Sequence, residues 1–579
     1  MKRLMQGNEA VARGLYEAGV KVLSSYPGTP STEISEFAAK YPEIYAEWAP
    51  NEKVACETAI GAAINGARAF SGMKHVGLNV AADPLFTASY IGTNGGLVFG
   101  VADDPGMHSS QNEQDSRHYA IASKVPMLEP SDSAECLSYT KAAYEISEKY
   151  DTPVLLRLST RVSHSSSVVE LSERTELPLK EYTKNPGKNV MMPAMAKGRH
   201  IVVEERTKAL LELAENCPFN TVEFNSASIG VICAGISYQY AKEALGEKAS
   251  YLKLGLINPM PVQMIKDFAA KCDKVYVIEQ LDPVIENHCK TIGVDVIGKD
   301  VFSLLGEFSQ STVEKNILGE QKEFLTVDEA IPNRPPVMCC GCPHRGLYYA
   351  LKKKRVYVSG DIGCYTLGAL PPLGMMDTCV CMGASVSALH GAVKARGDEF
   401  AKKAVAVIGD STFIHSGVTG LINIAYNRSI STVIILDNSI TGMTGHQQNP
   451  TTGYTIKGDP TAAVNLENLC RAVGINKVTV VDPYNLSECL AALDEHLSLD
   501  EPSVIISRRP CALLKYVKHN PPLKIDSEKC RGCKVCMGIG CPAISIRKGK
   551  AVIDSTQCVG CNLCTGLCSF GAISDGGDK

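Results

Sequence analysis

Ala404-Val405-Ala406-Val407-Ile408-Gly409-Asp410-Ser411 and, past an amphipathic stretch, Thr432-Val433-Ile434-Ile435-Leu436-Asp437-Asn438-Ser439-Ile440-Thr441-Gly442 decide the fold. Each is a short β-branched run that ends in small and polar residues. Comparable runs at 20–24, 74–80, 153–159, 228–235, 274–279 and 502–507 alternate with amphipathic segments, which predicts parallel α/β layers throughout. Composition breaks rich in Pro, Gly and Asn at 180–198, 318–338 (Ile331-Pro332-Asn333-Arg334-Pro335-Pro336) and 519–524 mark linkers. They divide the chain into α/β domains at 1–185, 199–318 and 335–517, and a cysteine-rich tail at 522–579.

The 579 residues imply about three or four domains, and 45% hydrophobic with 21% charged residues is an ordinary globular mixture. A net charge of -4, with no arginine-rich run interleaved with aromatics, argues against nucleic acid as a partner. The first residues lack the apolar core of a signal peptide, and no stretch approaches the roughly 18 apolar residues of a membrane span, so a cytoplasmic protein away from membranes is expected. In such a chain 23 cysteines favour iron-sulfur ligation in a reducing, anaerobic cell over a disulfide framework.

The tail holds two runs, Cys530, Cys533, Cys536, Cys541 and Cys558, Cys561, Cys564, Cys568. In two-cluster modules the remote cysteine of one run completes the cube of the other. The expected 4Fe-4S ligand sets are therefore Cys530, Cys533, Cys536 and Cys568 for one cluster, and Cys558, Cys561, Cys564 and Cys541 for the second. Gly532 and Gly560 relieve crowding where the backbone wraps each cube. The first run departs from the usual spacing before Cys541-Pro542, and Ser569 stands where proline is usual after Cys568; neither change removes a ligand. Zinc knuckles or disulfides are the alternative, and the regular double repeat argues against them.

Gly409-Asp410-Ser411 followed by the Asp437-Asn438-Ser439-Ile440 stretch resembles the thiamine diphosphate signature. The resemblance implies Mg²⁺ held by Asp410, Asn438 and the Ile440 main-chain oxygen, with Gly363, Cys364, Gly409 and Thr441 lining the cofactor. A hard cation bridging oxygen ligands to a diphosphate at the strand ends fits that chemistry. Ser411 replaces the second glycine of the signature without replacing a metal ligand.

Asn51-Glu52-Lys53-Val54-Ala55, running into Ile60-Gly61-Ala62-Ala63, resembles the pyrimidine-binding helix of the 2-oxoacid:ferredoxin oxidoreductases. Counting back from Gly61 as that family does lands on Glu52, with Glu57 the competing candidate. The carboxylate would protonate the aminopyrimidine and so activate the cofactor. Tyr26-Pro27-Gly28-Thr29-Pro30-Ser31 resembles the family's substrate loop, which gives Thr29 a place at the substrate. Lys74, His75 and His446 lie on segments expected to face the cofactor, Lys74 for the substrate carboxylate and the histidines for proton transfer. Structural hydrogen bonding is the alternative for each.

Domain order, with Met73-Lys74-His75-Val76-Gly77-Leu78-Asn79-Val80 and Cys342-Pro343-His344-Arg345-Gly346, is most similar to large subunits of the family's indolepyruvate branch. The resemblance implies two thiamine-diphosphate-binding parallel α/β domains, pyrimidine-binding and diphosphate-binding, flanking a transketolase C-terminal-like domain, plus a C-terminal two-4Fe-4S ferredoxin-like domain. It implies oxidation of arylpyruvates with coenzyme A to aryl-acetyl-CoA and CO₂, with electrons passing to ferredoxin. A smaller beta subunit and a homodimer of this chain within a heterotetramer are implied too. Another 2-oxoacid, a non-oxidative decarboxylase and a non-catalytic electron-transfer subunit are the competing functions. Cys339, Cys342, Cys364 and Cys511 are candidates for a third, proximal cluster, and buried packing thiols are the other reading. Ten further cysteines without ligand spacing, from Cys56 to Cys489 and with Cys379 and Cys381 among them but not Cys340, are expected to be packing residues.

Overall fold

The computed structural model describes residues 1–320, 323, 326–332 and 335–575. Gln321, Lys322, Phe324, Leu325, Asn333 and Arg334 of the 318–338 break, and residues 576–579 of the tail, lie outside the described residues. The chain divides into two compact units, Met1–Asp328 and Glu329–Lys579.

The first unit holds a seven-stranded sheet and a four-stranded sheet. The larger is parallel except at one edge, where Leu256–Asn258 pairs antiparallel with Met127–Leu128. That edge strand comes from the same stretch of chain as the smaller sheet, in which Gly230–Ala234 lies between Ser250–Leu254 and Val275–Ile278, parallel to both. One apolar core runs from Ala69, Leu97 and Phe99 through Ile232, Leu252 and Val277, so burial joins the two sheets. Beside it lies a buried ionic network. Arg117 donates to Asp115 (2.5 Å) and Glu279 (2.6 Å), and Arg157 to Asp103 (2.8 Å) and Glu129 (2.5 Å).

One predicted strand is corrected. Residues 75–80 are not extended; the strand is Ala69–Lys74, and His75–Val80 is a helix. The apolar alternation of Val76, Leu78 and Val80 imitates a half-buried strand. The true strand is buried at every position, so it shows no alternation, as a central parallel strand requires. Its central neighbour Leu97–Asp103, likewise wholly buried, was not predicted at all.

The second unit is built on an all-parallel six-stranded sheet with apolar clusters on both faces. Ala404–Gly409 and Thr432–Asp437 are neighbours in its middle, as the quoted runs predict, and both are fully covered. The tail contributes two small antiparallel pairs, Leu523–Ile525 with Ile573–Asp575 and Ile544–Arg547 with Lys550–Ile553. Its small core includes Cys536 and Cys564, with the other tail cysteines except the exposed Cys533 packed around it beside Tyr349, Tyr484 and Leu486 of the sheet domain. Cys379 and Cys381 depart from the packing expectation: both are exposed, at the end of a short edge strand where little chain covers them. Among the described residues no helix is long and apolar enough to cross a membrane.

Candidate functional site

In the first unit, Glu52 opens the helix Glu52–Ile64, whose N-cap Asn51 accepts the Val54 N–H. Glu52 is buried, whereas Glu57 is exposed and paired with Lys53, which separates the two candidate carboxylates. The backbone at Gly77 passes so close to Glu52 that a Cβ there would stand 2.6 Å from its Oε1. A side chain at 77 would have to displace the Glu52 carboxylate.

Lys74 is also buried, and burial lowers its pKa to about 8, with Asp104 pulling the other way. Its Nζ donates to the Ser109 carbonyl at 2.7 Å, and the Ser109 hydroxyl reaches the Thr29 carbonyl at 3.5 Å. Gly28 packs on the Lys74 side chain, so the Thr29 loop and Lys74 come together. Asp104 would be pushed up by burial, but bonds from Ser110 and Thr160 (2.6 Å each) and the Ser109 N–H hold it below the usual carboxylate range. Next to Lys74, His75 is 1% exposed, and the Asn112 side chain is the polar group that reaches its ring; burial lowers its pKa, against Asp103. Ser109 and Asp104 were missed in the sequence. Their one signal was the Asp-Asp-Pro-Gly turn at 103–106.

In the second unit the strand ends converge. Asp410 follows Ala404–Gly409, is 2% exposed, and accepts from the Ser411 N–H (2.8 Å) and the Thr451 hydroxyl (3.2 Å). Burial, and then the neighbouring Asp437 carboxylate, push its pKa up to about 7. Asn438 and Ile440 are buried beside it, and the Thr441 hydroxyl donates to Ser411 Oγ at 3.0 Å. Ser411 thus ties the two signature loops together in place of the missing glycine. Asn449 and Thr451, from a turn the sequence did not single out, complete the polar wall: Asn449 donates to Thr441 Oγ1 and accepts from Thr451 Oγ1. Gly363 and Gly409 leave room for the Tyr365 ring, and Gly442 passes 3.3 Å (from its would-be Cβ) from Cys364 Sγ. A buried carboxylate backed by a second acid and flanked by amide and hydroxyl oxygens is the donor set a hard cation takes. Among the described residues no group of three or more His, Cys, Asp or Glu gathers around one point as for a single ion. The Asp-Asn-carbonyl set does not need such a group, and a cube spreads its thiolates over separate iron corners.

Several of the tail thiols lie close enough to act on one another electrostatically. Cys536 is pushed up by burial and then by Cys533, Cys530 and Cys568. Cys564 is pushed up to about 12 by burial and then by Cys561, Cys541 and Cys558. Backbone N–H groups already aim at sulfur, Leu523 at Cys558 (3.4 Å) and Ala572 at Cys568 (3.3 Å). Burial, with Cys511 and Cys339 nearby, raises Cys364 to about 11, and Cys342 responds to Cys364 and Cys339. All four candidates for a proximal site therefore lie together. His446, in the left-handed backbone region at φ 70°, is exposed and places Nε2 3.8 Å from Cys511 Sγ, next to this group of thiols.

Comparison with known proteins places this geometry. Residues 13–213 match the family described as pyruvate flavodoxin/ferredoxin oxidoreductase, thiamine diphosphate-binding. Residues 361–507 match the thiamine pyrophosphate enzyme C-terminal binding domain. The class is thus that of thiamine-diphosphate-binding oxidoreductases. The chain is 40% identical to the indolepyruvate oxidoreductase subunit IorA of Pyrococcus horikoshii, over 99% of this chain and 96% of that one. It is 39% identical to the same subunit of Archaeoglobus fulgidus, over 95% and 98%. It belongs to the family of indolepyruvate oxidoreductase IorA subunits. A 2-oxoglutarate synthase subunit KorA of Methanothermobacter marburgensis is 24% identical over 48% of this chain and 87% of its own. Among solved structures, a 2-oxoglutarate:ferredoxin oxidoreductase from Magnetococcus marinus aligns over 55% of this chain and 65% of that one, with TM-score 0.48 and 20% identity.

Proposed function

We propose that this chain is the cofactor- and cluster-bearing subunit of an enzyme that converts an arylpyruvate and coenzyme A to aryl-acetyl-CoA and CO₂. A pair of electrons passes through 4Fe-4S clusters to ferredoxin, and a proton is released. The observation that carries the reading is Asp410, a fully buried carboxylate at a strand end whose pKa, pushed to about 7, awaits a cation. Asp410, Asn438 and the Ile440 carbonyl would hold Mg²⁺, and Gly363, Cys364, Gly409 and Thr441 would line the diphosphate. Bound thiamine diphosphate supplies the electron sink that makes loss of CO₂ from a 2-oxoacid feasible.

Glu52, fixed at its helix start beside Gly77, would share a proton with the aminopyrimidine nitrogen of the bound cofactor. Lys74 presents its ammonium, through the Ser109 and Thr29 loops, to the substrate carboxylate. His75, buried beside Lys74, would carry a proton there. His446 lies with Cys511, so its role is tied to the proximal thiols.

The segments 1–185, 199–318, 335–517 and 522–579 serve as pyrimidine, transketolase C-terminal-like, diphosphate and two-cluster domains. A small second subunit, a homodimer of this chain within a heterotetramer, and an anaerobic cytoplasm complete the reading. The test is anaerobic co-purification with the small subunit and viologen reduction with indolepyruvate, phenylpyruvate, pyruvate and 2-oxoglutarate, with and without coenzyme A. Coenzyme-A-dependent reduction fastest with the aryl acids is expected. Reduction with another acid alone overturns the substrate, and CO₂ with aldehyde but no viologen reduction overturns the oxidoreductase.

A further inference from the structure

Arg345 lies in the Cys342-Pro343-His344-Arg345-Gly346 stretch, of which the function above uses only the sulfur. Its side chain is 2% exposed. Nη2 donates to the carbonyls of Met338 (2.7 Å) and Cys339 (3.0 Å), on the loop that carries the proximal thiols. Nη1 donates to the carbonyls of Ile539 (2.9 Å) and Gly540, on the turn that delivers Cys541. Gly540 is in the left-handed region at φ 68°, and a Cβ there would press on Pro372 at 2.9 Å and Nη1 at 3.2 Å, so the close approach needs glycine.

The guanidinium also acts on Cys340, Cys342 and Cys561, thiols on both sides of it. Among the described residues no carboxylate pairs with it, and its remaining donor, the Nε–H, is buried without a partner. A buried guanidinium with neutral carbonyl partners and one idle donor is costly until a negative acceptor arrives.

We infer that Arg345 is a fixed positive charge between the Cys339/Cys342 loop and the Cys541, Cys558, Cys561, Cys564 set, donating its Nε–H to the iron-sulfur cluster that set holds and making that cluster easier to reduce. The inference rests on the cluster-bearing reading of the tail. Each transfer adds one electron to the cluster and removes one from its donor. Arginine stays protonated throughout, so no proton moves. The added negative charge falls beside the guanidinium in a low-dielectric interior, and hydrogen bonds to sulfur and local charge are among the terms that set cluster potentials. The same four carbonyl bonds tie the two cysteine loops in register, which gives Arg345 the place of a strut between electron donor and acceptor.

The experiment uses the full chain with its small subunit, with iron and labile sulfide measured first. Potentiometric titration with paramagnetic resonance compares the native protein with Arg345→Lys and Arg345→Gln. In the loaded glutamine variant the reduction equilibrium of one tail cluster should fall about tenfold, about 59 mV for a one-electron couple, while lysine retains most of it. Native protein labelled with ¹⁵N-arginine should show a nitrogen coupling to that reduced cluster, absent from Arg345→Lys. An unchanged potential in loaded Arg345→Gln, or no ¹⁵N coupling in the native protein, overturns the inference; the second measurement stands even where a variant fails to load. Native protein without tail clusters sinks the reading of the previous subsection as well, whereas clusters without the coupling sink this inference alone.

Discussion

Asp115 in the first unit and Asp410 in the second are both buried acids with a second carboxylate nearby, and their surroundings drive them in opposite directions. Burial would push Asp115 up, but Arg117 and Arg157 reverse this and hold it well below the usual carboxylate range. Among the described residues Asp410 meets no cation, only the neutral donors Ser411 N–H, Thr451 hydroxyl and Asn449 amide, and burial with Asp437 lifts it to about 7. The chain neutralises its own charge where the role is architectural. At Asp410, the proposed cation site, no such charge stands beside the carboxylate among the described residues, and burial alone would not have separated the two cases.

The most severe test of that contrast is Arg117→Met. It strands Asp115 and Glu279 inside the first unit, and unfolding in denaturant should show a loss of about 3–5 kcal/mol. A loss below about 1 kcal/mol would mean the network is not architectural. Next comes Asp410→Asn, which should weaken Mg²⁺-dependent thiamine diphosphate binding by at least about 10–100-fold, read by calorimetry. Its cofactor-free fold should be no less stable, and equal destabilisation by both variants would erase the distinction.

The pH dependence sharpens it further. Asp410 has a folded pKa of about 7, above its unfolded value near 3.9, so without cofactor its contribution is full below about pH 4 and is lost as pH rises to 7. Asp115 is depressed, so its contribution is full above about 3.9 and is lost only at more acid pH. Denaturant midpoints of the cofactor-free chain between pH 4 and 7 should therefore fall with rising pH, and the Asp410→Asn variant should flatten that slope. Cofactor with Mg²⁺, which needs the ionised carboxylate, should bind more weakly as pH drops below 7. The smallest effect is expected of Ser411→Gly, which removes the Thr441 bond for about 1 kcal/mol and leaves turnover within a few-fold. A large loss of turnover would promote Ser411 from a brace to a participant.

How legible this was follows from range. The Ala404 and Thr432 runs declared the central strands of the second sheet because a parallel strand covered on both faces is a continuous apolar run. The tail cysteines suggested a grouping from sequence alone, since ligand spacing is local. Glu52 needed its environment, because sequence offers Glu57 one helical turn on and only burial separates them. The ionic network was invisible: Arg117 and Glu279 stand 162 positions apart and nothing local announces the pairing. Asn449 and Thr451 were hidden likewise, ordinary turn residues until the fold set them against Asp410. At 74–80 local alternation was present but tertiary packing overrode it.

Leu256–Asn258 closes the first sheet with chain drawn from the smaller sheet's stretch. Heredity is constrained by that borrowing. A gene split between residues 185 and 199 would part the short strand Met127–Leu128 from its cover and leave an unpaired strand edge, a template for aggregation. The two sheets of the first unit should therefore be inherited, shuffled or lost together, whatever happens to the rest of the polypeptide.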